Sequence, residues 1–203
     1  MGVLSVSGGL LTLAIGVSVL TAAAAAVSDF RTGHIPNWIS GSAFVAGVGI
    51  QALAGSRGYD YWSFGGHTAL WGVAHALVGA LACGLFPYLL FRKQLTSEDG
   101  GTRRVGGGGD VKVFAGIGAL LGVYFGIEAQ FFAMCVAGVL GMARLAWHGR
   151  LLAAMTNTLF IGLNPVLPKS WRREIRPELL TTIRMGGAIL IGTVIAALSN
   201  SPL

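Results

Sequence analysis

The chain has 203 residues, of which 54% are hydrophobic and only 11% are charged, and its mean hydropathy is +0.71. These values exclude an ordinary soluble domain and indicate an integral membrane protein. The net charge of +6 does not predict a nucleic-acid partner, because no nucleic-acid-binding motif accompanies it. Basic loops beside anionic lipid headgroups explain the charge.

Six apolar stretches predict an all-α, polytopic membrane protein that forms one domain over residues 1–203. A membrane-spanning helix needs about 20 mostly apolar residues. The six stretches, here called spans 1 to 6, cover residues 3–27, 38–53, 67–91, 111–127, 131–147 and 181–198. Nothing before Asp29 carries a side-chain charge, so we expect span 1 to be retained. The alternative is a cleaved leader, since the alanines at 22–26 could mimic a cleavage site.

The distribution of cations predicts which ends of the spans face the cytoplasm. If the six spans alternate across the bilayer, the loops at about 28–37, 92–110 and 148–180 share one side. Of the 14 Lys and Arg residues, Arg57 alone falls on the opposite side. Lys and Arg are retained on the cytoplasmic side, so we expect a multi-pass protein of the inner, cytoplasmic membrane with these three loops in the cytoplasm.

The cysteines and histidines predict neither a disulfide framework nor a metal site. Cys83 and Cys135 fall within predicted spans and form no CxxC pair. The four histidines are scattered without the spacing of a metal site, and no GxSxG nucleophile motif is present. We therefore expect a protein that needs no metal or other cofactor.

Two of the eight carboxylates occupy a distinctive position. Asp29 lies at the end of span 1 and Asp110 at the start of span 4, so each sits where an apolar span meets the predicted cytoplasmic face. The other six lie on the opposite side, in mid-loop or among arginines: Asp60, Glu98, Asp99, Glu128, Glu174 and Glu178. Asp29 and Asp110 could therefore converge at one depth of the membrane.

A pair of adjacent carboxylates can catalyse peptide hydrolysis. Two such groups cannot both ionise cheaply, so the pair tends to hold one proton, with its two apparent pKa values pushed apart. One group then acts as a general base on the attacking water, while the other protonates the developing oxyanion. This chemistry requires no metal and no covalent intermediate.

The residues around both aspartates suit a bound peptide. Four glycines at 106–109 precede Asp110, and glycine lets another chain approach the backbone closely. Non-helical backbone at this depth is tolerated where it lines a wet cavity or is buried in protein. After Asp29, Gly33 and Pro36 predict a turn, and Asn37 can cap the second span.

At these residues the sequence resembles the type IV prepilin peptidases. The stretch Gly107-Gly108-Gly109-Asp110-Val111-Lys112 resembles the GxGD signature of these membrane aspartyl proteases. The stretch from Asp29 to Asn37 resembles the family's other aspartate motif, an Asp and an Arg followed by Ile-Pro-Asn. The two motifs occur in the family's order, each at the matching end of a span.

The resemblance implies a leader peptidase with Asp29 and Asp110 as its catalytic pair. Its substrate would be a pilin-like precursor with a basic leader before an apolar helix, cut on the cytoplasmic side. The cysteine-rich zinc region of the larger, methylating members is missing, so we expect peptidase activity without methylation, as in the short enzymes of Flp or tight-adherence pilus systems. Many relatives have a Pro-Tyr pair before the last helix, where this chain has Arg184-Met185-Gly186-Gly187-Ala188, so the resemblance does not extend to the substrate groove near span 6.

Several neighbouring residues are candidates for substrate binding or support: Gly107, Gly109, Lys112, Arg31, Pro36 and Asn37. Lys112 could steady an oxyanion, but a lysine near a cytoplasmic helix end is typically a topology anchor, and the same holds for Arg31. Asp110 alone could cap the fourth span, and Asp29 alone could pair with Arg31.

Glycines at 118, 122 and 126 recur every four residues in span 4, a pattern that lets membrane helices approach closely. Packing within the chain, for instance of span 4 on span 1, and a homo-oligomer through this glycine-rich face both remain open.

An alternative function is also open. The two boundary carboxylates could bind a cation in a non-catalytic membrane component, such as a small transporter or a scaffold for secretion or pilus assembly.

Overall fold

The computed structural model describes residues 2–58, 68–91, 94–96, 102–104, 108–149, 151–153, 155–156 and 184–200. Its elements are α1 (Gly2–Thr32), α2 (Asn37–Ser56), α3 (Ala69–Phe91), β1 (Gln94–Thr96), β2 (Thr102–Arg104), α4 (Gly108–Trp147) and α5 (Gly186–Asn200). The protein is helical, as predicted. The short strands β1 and β2, which pair antiparallel, add a small hairpin within the predicted loop 92–110.

The first two helices are joined by a tight turn. Helix α1 continues to Thr32, past the predicted end of span 1 at residue 27, so the connection shortens to residues 33–36. Gly33 follows α1 with φ 66° and its N–H donates to the carbonyl of Asp29 at 2.9 Å, which is the left-handed glycine ending common to helices. Pro36 then precedes α2 in an extended conformation, because proline favours the residue just outside or at a helix start.

Helix α4 contains a reversal of chain direction. A straight helix of 40 residues would be about 60 Å long, twice the hydrocarbon core of a bilayer. Gly122 instead has φ 76° and ψ −173°, a region that essentially only glycine occupies. A Cβ on Gly126 would lie 3.1 Å from the Cα of Gly118, whereas eight residues of straight helix separate two Cα atoms by about 12 Å. The chain therefore folds back at Gly122.

The two halves of α4 correspond to spans 4 and 5, with a corrected boundary. The sequence predicted that they meet at about residues 128–130, but the reversal lies at Gly122. The half formed by residues 108–121 is about 21 Å long and the half formed by 123–147 about 37 Å. Because the first half is shorter than a hydrocarbon core of about 30 Å, irregular backbone at Gly122 must be shielded. Gly122 is buried against the ring of His75, which meets the requirement that such backbone be covered by protein.

The helices form one bundle in which neighbours pass close to each other at glycines. A Cβ on Gly47 of α2 would meet Ala119 of α4 at 2.6 Å, and one on Gly79 of α3 would overlap the carbonyl oxygen of Gly118. A Cβ on Gly192 of α5 would overlap the backbone of Ala133. The core between the helices is accordingly made largely of small side chains, with Phe114, Ile117, Leu120 and Ile189 as the largest fully buried apolar groups.

The glycine stripe of span 4 packs on α3, not on α1. The neighbours that a Cβ would meet at Gly118 are Gly79 and Cys83, the neighbour at Gly122 is His75, and the nearest atom at Gly126 is the sulfur of Cys83. The stripe therefore packs within the chain, with α3 as its partner instead of span 1, which the sequence left open. The stripe is occupied within the chain, and the homo-oligomer remains a prediction.

The contacts define two ends of the bundle. Asp29, the start of α2, the start of α4 and the start of α5 lie at one end, here called the Asp29 end, because Lys112 contacts Asn37 and Gly186 contacts Asp29. At the opposite end, Asn200 of α5 donates a hydrogen bond to Glu128 of α4 at 2.7 Å. Within the described ranges, four helices are long and apolar enough to cross a membrane, and α5 is a shorter apolar helix. Counting α4 as two passes gives the predicted layout of about six.

Candidate active site at the Asp29 end

Asp29 occupies the last turn of α1 and is nearly buried. Its side chain is 9% exposed, and a carboxylate in such a place needs hydrogen-bond partners to offset its desolvation. The main-chain N–H of Gly186, the first residue of α5, donates to Oδ2 of Asp29 at 3.0 Å. The positive end of the α5 dipole therefore points at this carboxylate.

A second contact joins the same two segments. The guanidinium of Arg184 donates from Nη1 to the carbonyl oxygen of Phe30 at 2.8 Å. That carbonyl lies in the final turn of α1, where carbonyl groups lack partners within the helix. Arg184 thereby ties the residues before α5 to the end of α1, one position beyond Asp29.

The turn after Asp29 is braced by side-chain hydrogen bonds to main chain. The hydroxyls of Ser28 and Thr32 each donate to the carbonyl of His34 at 2.9 Å, and Thr32 accepts the N–H of His34 at 3.3 Å. Ile35 turns inward and is 4% exposed. Short polar residues that bond nearby backbone favour turns of this kind, and they fix the direction in which the chain leaves Asp29.

Asp110 lies in the first turn of α4 and is partly buried. Helix α4 begins at Gly108, so Asp110 is inside the first turn rather than at the capping position that the sequence left open. Two contacts hold this turn against the segment after Asp29. Nζ of Lys112 donates to Oδ1 of Asn37 at 2.8 Å, and a Cβ on Gly109 would lie 3.2 Å from Cβ of Ile35.

Asp29 and Asp110 lie near each other at the same end of the bundle. The start of α4 is held beside the segment that follows Asp29 by the Lys112–Asn37 hydrogen bond and the approach of Gly109 to Ile35, so the two carboxyl groups are close enough for their charges to interact. Like charges at short range disfavour double ionisation and favour retention of one proton by the pair. The arrangement is therefore chemically able to present an acid and a base together.

The supporting residues predicted from the sequence have different surroundings. Asn37 does not cap α2 as predicted, because it is the first helical residue and Pro36 occupies the cap position without a side-chain hydrogen bond. The Asn37 side-chain oxygen instead accepts a hydrogen bond from Lys112. A Cβ on Gly109 would lie 3.2 Å from Cβ of Ile35, so this glycine allows a close contact within the chain, and its contact with a substrate stays a prediction. Arg31 is exposed, and the Asp29 carboxylate accepts its hydrogen bond from Gly186. Gly107 lies outside the described residues.

Sequence reasoning missed the contribution of α5. Residues 184–188 stood out in the sequence only as a departure from the Pro-Tyr pair of many relatives. The structure places the Gly186 amide on Asp29 and the Arg184 side chain on Phe30. The signal that could have found it was the pair Gly186-Gly187 at the start of an apolar helix, since glycine there permits a close approach of another segment.

The described residues contain no candidate metal centre. Among them, no group of three or more His, Cys, Asp or Glu side chains is arranged to hold a metal ion. The apolar core between the helices includes the buried thiol of Cys83, which lies against Gly118 and Gly126 of α4 and belongs to the packing of the bundle.

Fold and site together define a polytopic helical membrane protein with an acidic pair at one end of its bundle. The chain belongs to the type IV leader peptidase family, whose sequence model matches residues 15–142, more than half of the chain. The match confirms the resemblance noted in the two aspartate motifs, and it identifies the protein as a membrane peptidase. No match was found among curated proteins or among solved structures.

Proposed function

We propose that this protein is an aspartic endopeptidase that removes the leader of type IV pilin-like precursors at the cytoplasmic face of the inner membrane. Asp29 and Asp110 form its catalytic pair. The observation that carries the proposal is geometric: the start of α4, which bears Asp110, is held against the segment after Asp29 by the Lys112–Asn37 hydrogen bond and by the close approach of Gly109 to Ile35. Membership of the leader peptidase family supports the same reaction.

The proposed reaction uses the single proton shared by the pair. The ionised carboxylate removes a proton from water as the water attacks the scissile carbonyl, and the protonated group donates to the carbonyl oxygen. Collapse of the tetrahedral intermediate breaks the C–N bond while one carboxyl group protonates the departing amine; the other carboxylate takes a proton from a hydroxyl of the intermediate, which re-forms the C=O bond. The pair returns to its starting state with one proton, so no metal and no covalent enzyme intermediate is needed.

The proposed substrate is a precursor with a short basic leader followed by an apolar helix. Its apolar helix would share the membrane with the bundle, and its leader would extend past the Asp29 end. The cation distribution of the sequence, with Arg57 alone on the other side, supports a cytoplasmic position for that end by the positive-inside rule. The sequence lacks a cysteine-rich zinc region, so we propose cleavage without methylation of the new N-terminus, as in Flp pilus systems.

Cleavage by purified protein tests the proposal. The protein in detergent is mixed with a pilin-like precursor, and the product mass is measured to locate the cut. We expect loss of the leader with the wild-type chain and a loss of about 10⁴-fold or more in rate for Asp29→Asn and Asp110→Asn, because each removes one half of an acid–base pair that acts as a unit. An aspartate whose Asn variant cuts at the wild-type rate is not catalytic.

A carboxylate at the other end of the bundle provides the matched control. Glu128 accepts a hydrogen bond from Asn200, and glutamine in its place still offers an acceptor oxygen. Glu128→Gln should therefore cut at close to the wild-type rate. Ion flux in liposomes that disappears in Asp110→Asn, without cleavage of any pilin-like precursor, would instead favour the cation-binding membrane component.

A further inference from the structure

We infer that the main-chain amide of Gly186 positions the carboxylate of Asp29 for catalysis, and that glycine is required there for the amide to reach it. The inference rests on the proposed function, because it assigns a positioning group to one of the two proposed catalytic residues. Its basis is the 3.0 Å hydrogen bond from Gly186 N–H to Oδ2 of Asp29, between residues 157 positions apart in the chain.

The amide is free to make this bond because of its place in α5. The first N–H groups of a helix have no acceptor within the helix. Ile189 N–H bonds to the carbonyl of Met185 at 2.9 Å, so Met185 stands at the capping position and Gly186 is the first helical residue. Methionine offers no side-chain oxygen with which to cap a helix. The carboxylate of Asp29, which belongs to α1, therefore accepts the hydrogen bond that a capping side chain would otherwise accept.

The space around Gly186 accounts for the glycine. A Cβ at this position would lie 2.8 Å from Cβ of Asp29, 2.9 Å from its Oδ2 and 3.0 Å from Cα of Ala26. Contacts under 3.0 Å to a neighbouring side chain and close approach to backbone leave no room for a methyl group, so any other residue would push α5 away from α1. A Cβ on Gly187 would have open space around it, so the requirement is specific to one glycine of the pair.

The bond also restricts what the Asp29 carboxylate can do. With Oδ2 held by Gly186, rotation of the carboxylate is restricted. No described residue donates a hydrogen bond to the second oxygen, which can then serve water or the proton shared with Asp110. Catalytic groups must be held within about 0.5 Å of productive geometry by their supporting bonds. The start of α5 thus belongs to the active site although it contributes no reactive side chain.

The sharpest experiment replaces a single N–H group. Glycolic acid introduced at position 186 by nonsense suppression in cell-free synthesis exchanges the amide N–H for an ester oxygen and adds no atom that could clash. Hydrogen bonds to charged groups contribute about 1.5–3 kcal/mol, so kcat for a pilin-like precursor should fall about 10- to 100-fold. KM should stay close to its wild-type value, because the bond does not contact substrate.

Three comparisons separate positioning from loss of structure. Glycolic acid at position 187 removes the neighbouring N–H, which also lacks an intrahelical acceptor, and should leave kcat unchanged. Gly186→Ala should lower kcat by about 100-fold through displacement of Asp29, while Gly187→Ala should be neutral. In Gly192→Ala the new Cβ would overlap the backbone of Ala133. The kcat of this variant therefore shows how much weaker packing of α5 lowers the rate without a direct effect on Asp29.

The outcomes are distinct from those that test the proposed function. The wild-type protein must first be shown to cut the precursor, and Asp29→Asn must be shown to be inactive. If the ester at position 186 then has the wild-type kcat, the positioning role of the Gly186 amide is wrong, while the proposed peptidase function still holds. An equal loss of kcat in the esters at 186 and 187, or in Gly192→Ala and Gly186→Ala at equal thermal stability, overturns the positioning role as well. A loss of kcat confined to position 186 establishes it.

Discussion

Gly122 is the residue that allows one helical segment to become two antiparallel passes. Its φ of 76° and ψ of −173° are open to glycine and strained for any residue with a Cβ. A Cβ would also overlap the imidazole of His75. Gly122 is therefore required for two independent reasons, its backbone conformation and its close contact with His75.

Gly122→Ala should lower the stability of the protein by at least about 1–3 kcal/mol, the usual strain of such a conformation, with overlap on His75 adding to it. Thermal unfolding in detergent, followed by circular dichroism, measures the effect. Gly138→Ala is the control, because Gly138 is exposed on the second half of α4 with open space around a Cβ. Equal stability of the two variants would contradict the fold-back at Gly122.

Asp29 and Asp110 show what a sequence can predict at the scale of single residues. Their positions at the ends of apolar stretches, and the motifs around them, marked them as candidates because hydrophobic runs and turn residues are local features. The bond from Gly186 to Asp29 was not predicted, because it depends on how α5 approaches α1. The structure also adds a role for the glycines before Asp110. Gly109 approaches Ile35 closely, so at least this glycine serves packing within the chain.

At the scale of elements, α3 and α4 pack through glycines on both sides. A Cβ on Gly79 would overlap the carbonyl oxygen of Gly118 and lie 2.9 Å from the backbone of Gly122. Membrane helices associate through such small residues because lipid provides no hydrophobic drive between them. The start of α4 carries Asp110, so this interface also sets where Asp110 lies.

Gly79→Ala should destabilise the protein by about 1–3 kcal/mol, the usual cost of overpacking, and should lower kcat because it displaces α4. The matched control is Gly84→Ala on the same helix, where the nearest atom to a new Cβ is the methyl carbon of Ala115 at 3.2 Å. Thermal stability and cleavage rate are measured for both. If the two variants behaved alike, the close glycine contact would not determine the position of α4.

The boundaries of the elements illustrate the limits of hydrophobic pattern. Span 2 at 38–53 and span 3 at 67–91 correspond well to α2 at Asn37–Ser56 and α3 at Ala69–Phe91. Spans 4 and 5 were divided near Glu128, the polar residue between two apolar runs. The reversal occurs at Gly122, inside an apolar run, because His75 and the glycines of α3 cover the irregular backbone there.

At the scale of the whole molecule, the helices alternate between two ends of one bundle. Asp29, Asn37, Lys112 and Gly186 meet at one end through hydrogen bonds, while Glu128 and Asn200 meet at the other. Asp29 and Asp110 therefore share an end, as their sequence positions predicted. Assignment of that end to the cytoplasm is a separate proposal, supported by the distribution of Lys and Arg.

Labelling of single cysteines tests the orientation. In a chain with Cys83 and Cys135 replaced by alanine, Arg57→Cys should react with a membrane-impermeant maleimide in spheroplasts of a bacterial host. His148→Cys should react only after the membrane is permeabilised. Both positions are exposed and lie in turns at opposite ends of the bundle, and removal of Arg57 only strengthens the charge asymmetry that sets orientation.

The opposite labelling pattern would contradict a cytoplasmic active site. Labelling of both cysteines from the same side would contradict the alternating path of the helices as well. Cleavage activity of each cysteine variant is the control, because neither residue contacts the aspartates and both variants should cut at the wild-type rate.

The sequence by itself determined the membrane class, the approximate number of passes and the placement of Asp29 and Asp110 at ends of passes. These properties depend on the length of apolar runs and the position of charges, which are readable locally. The tertiary structure decided where α4 reverses, that its glycine stripe meets α3, and that Gly186 bonds to Asp29. Such features arise from contacts between residues far apart in the chain, because close packing of whole helices selects among the turns and bonds that each local sequence permits.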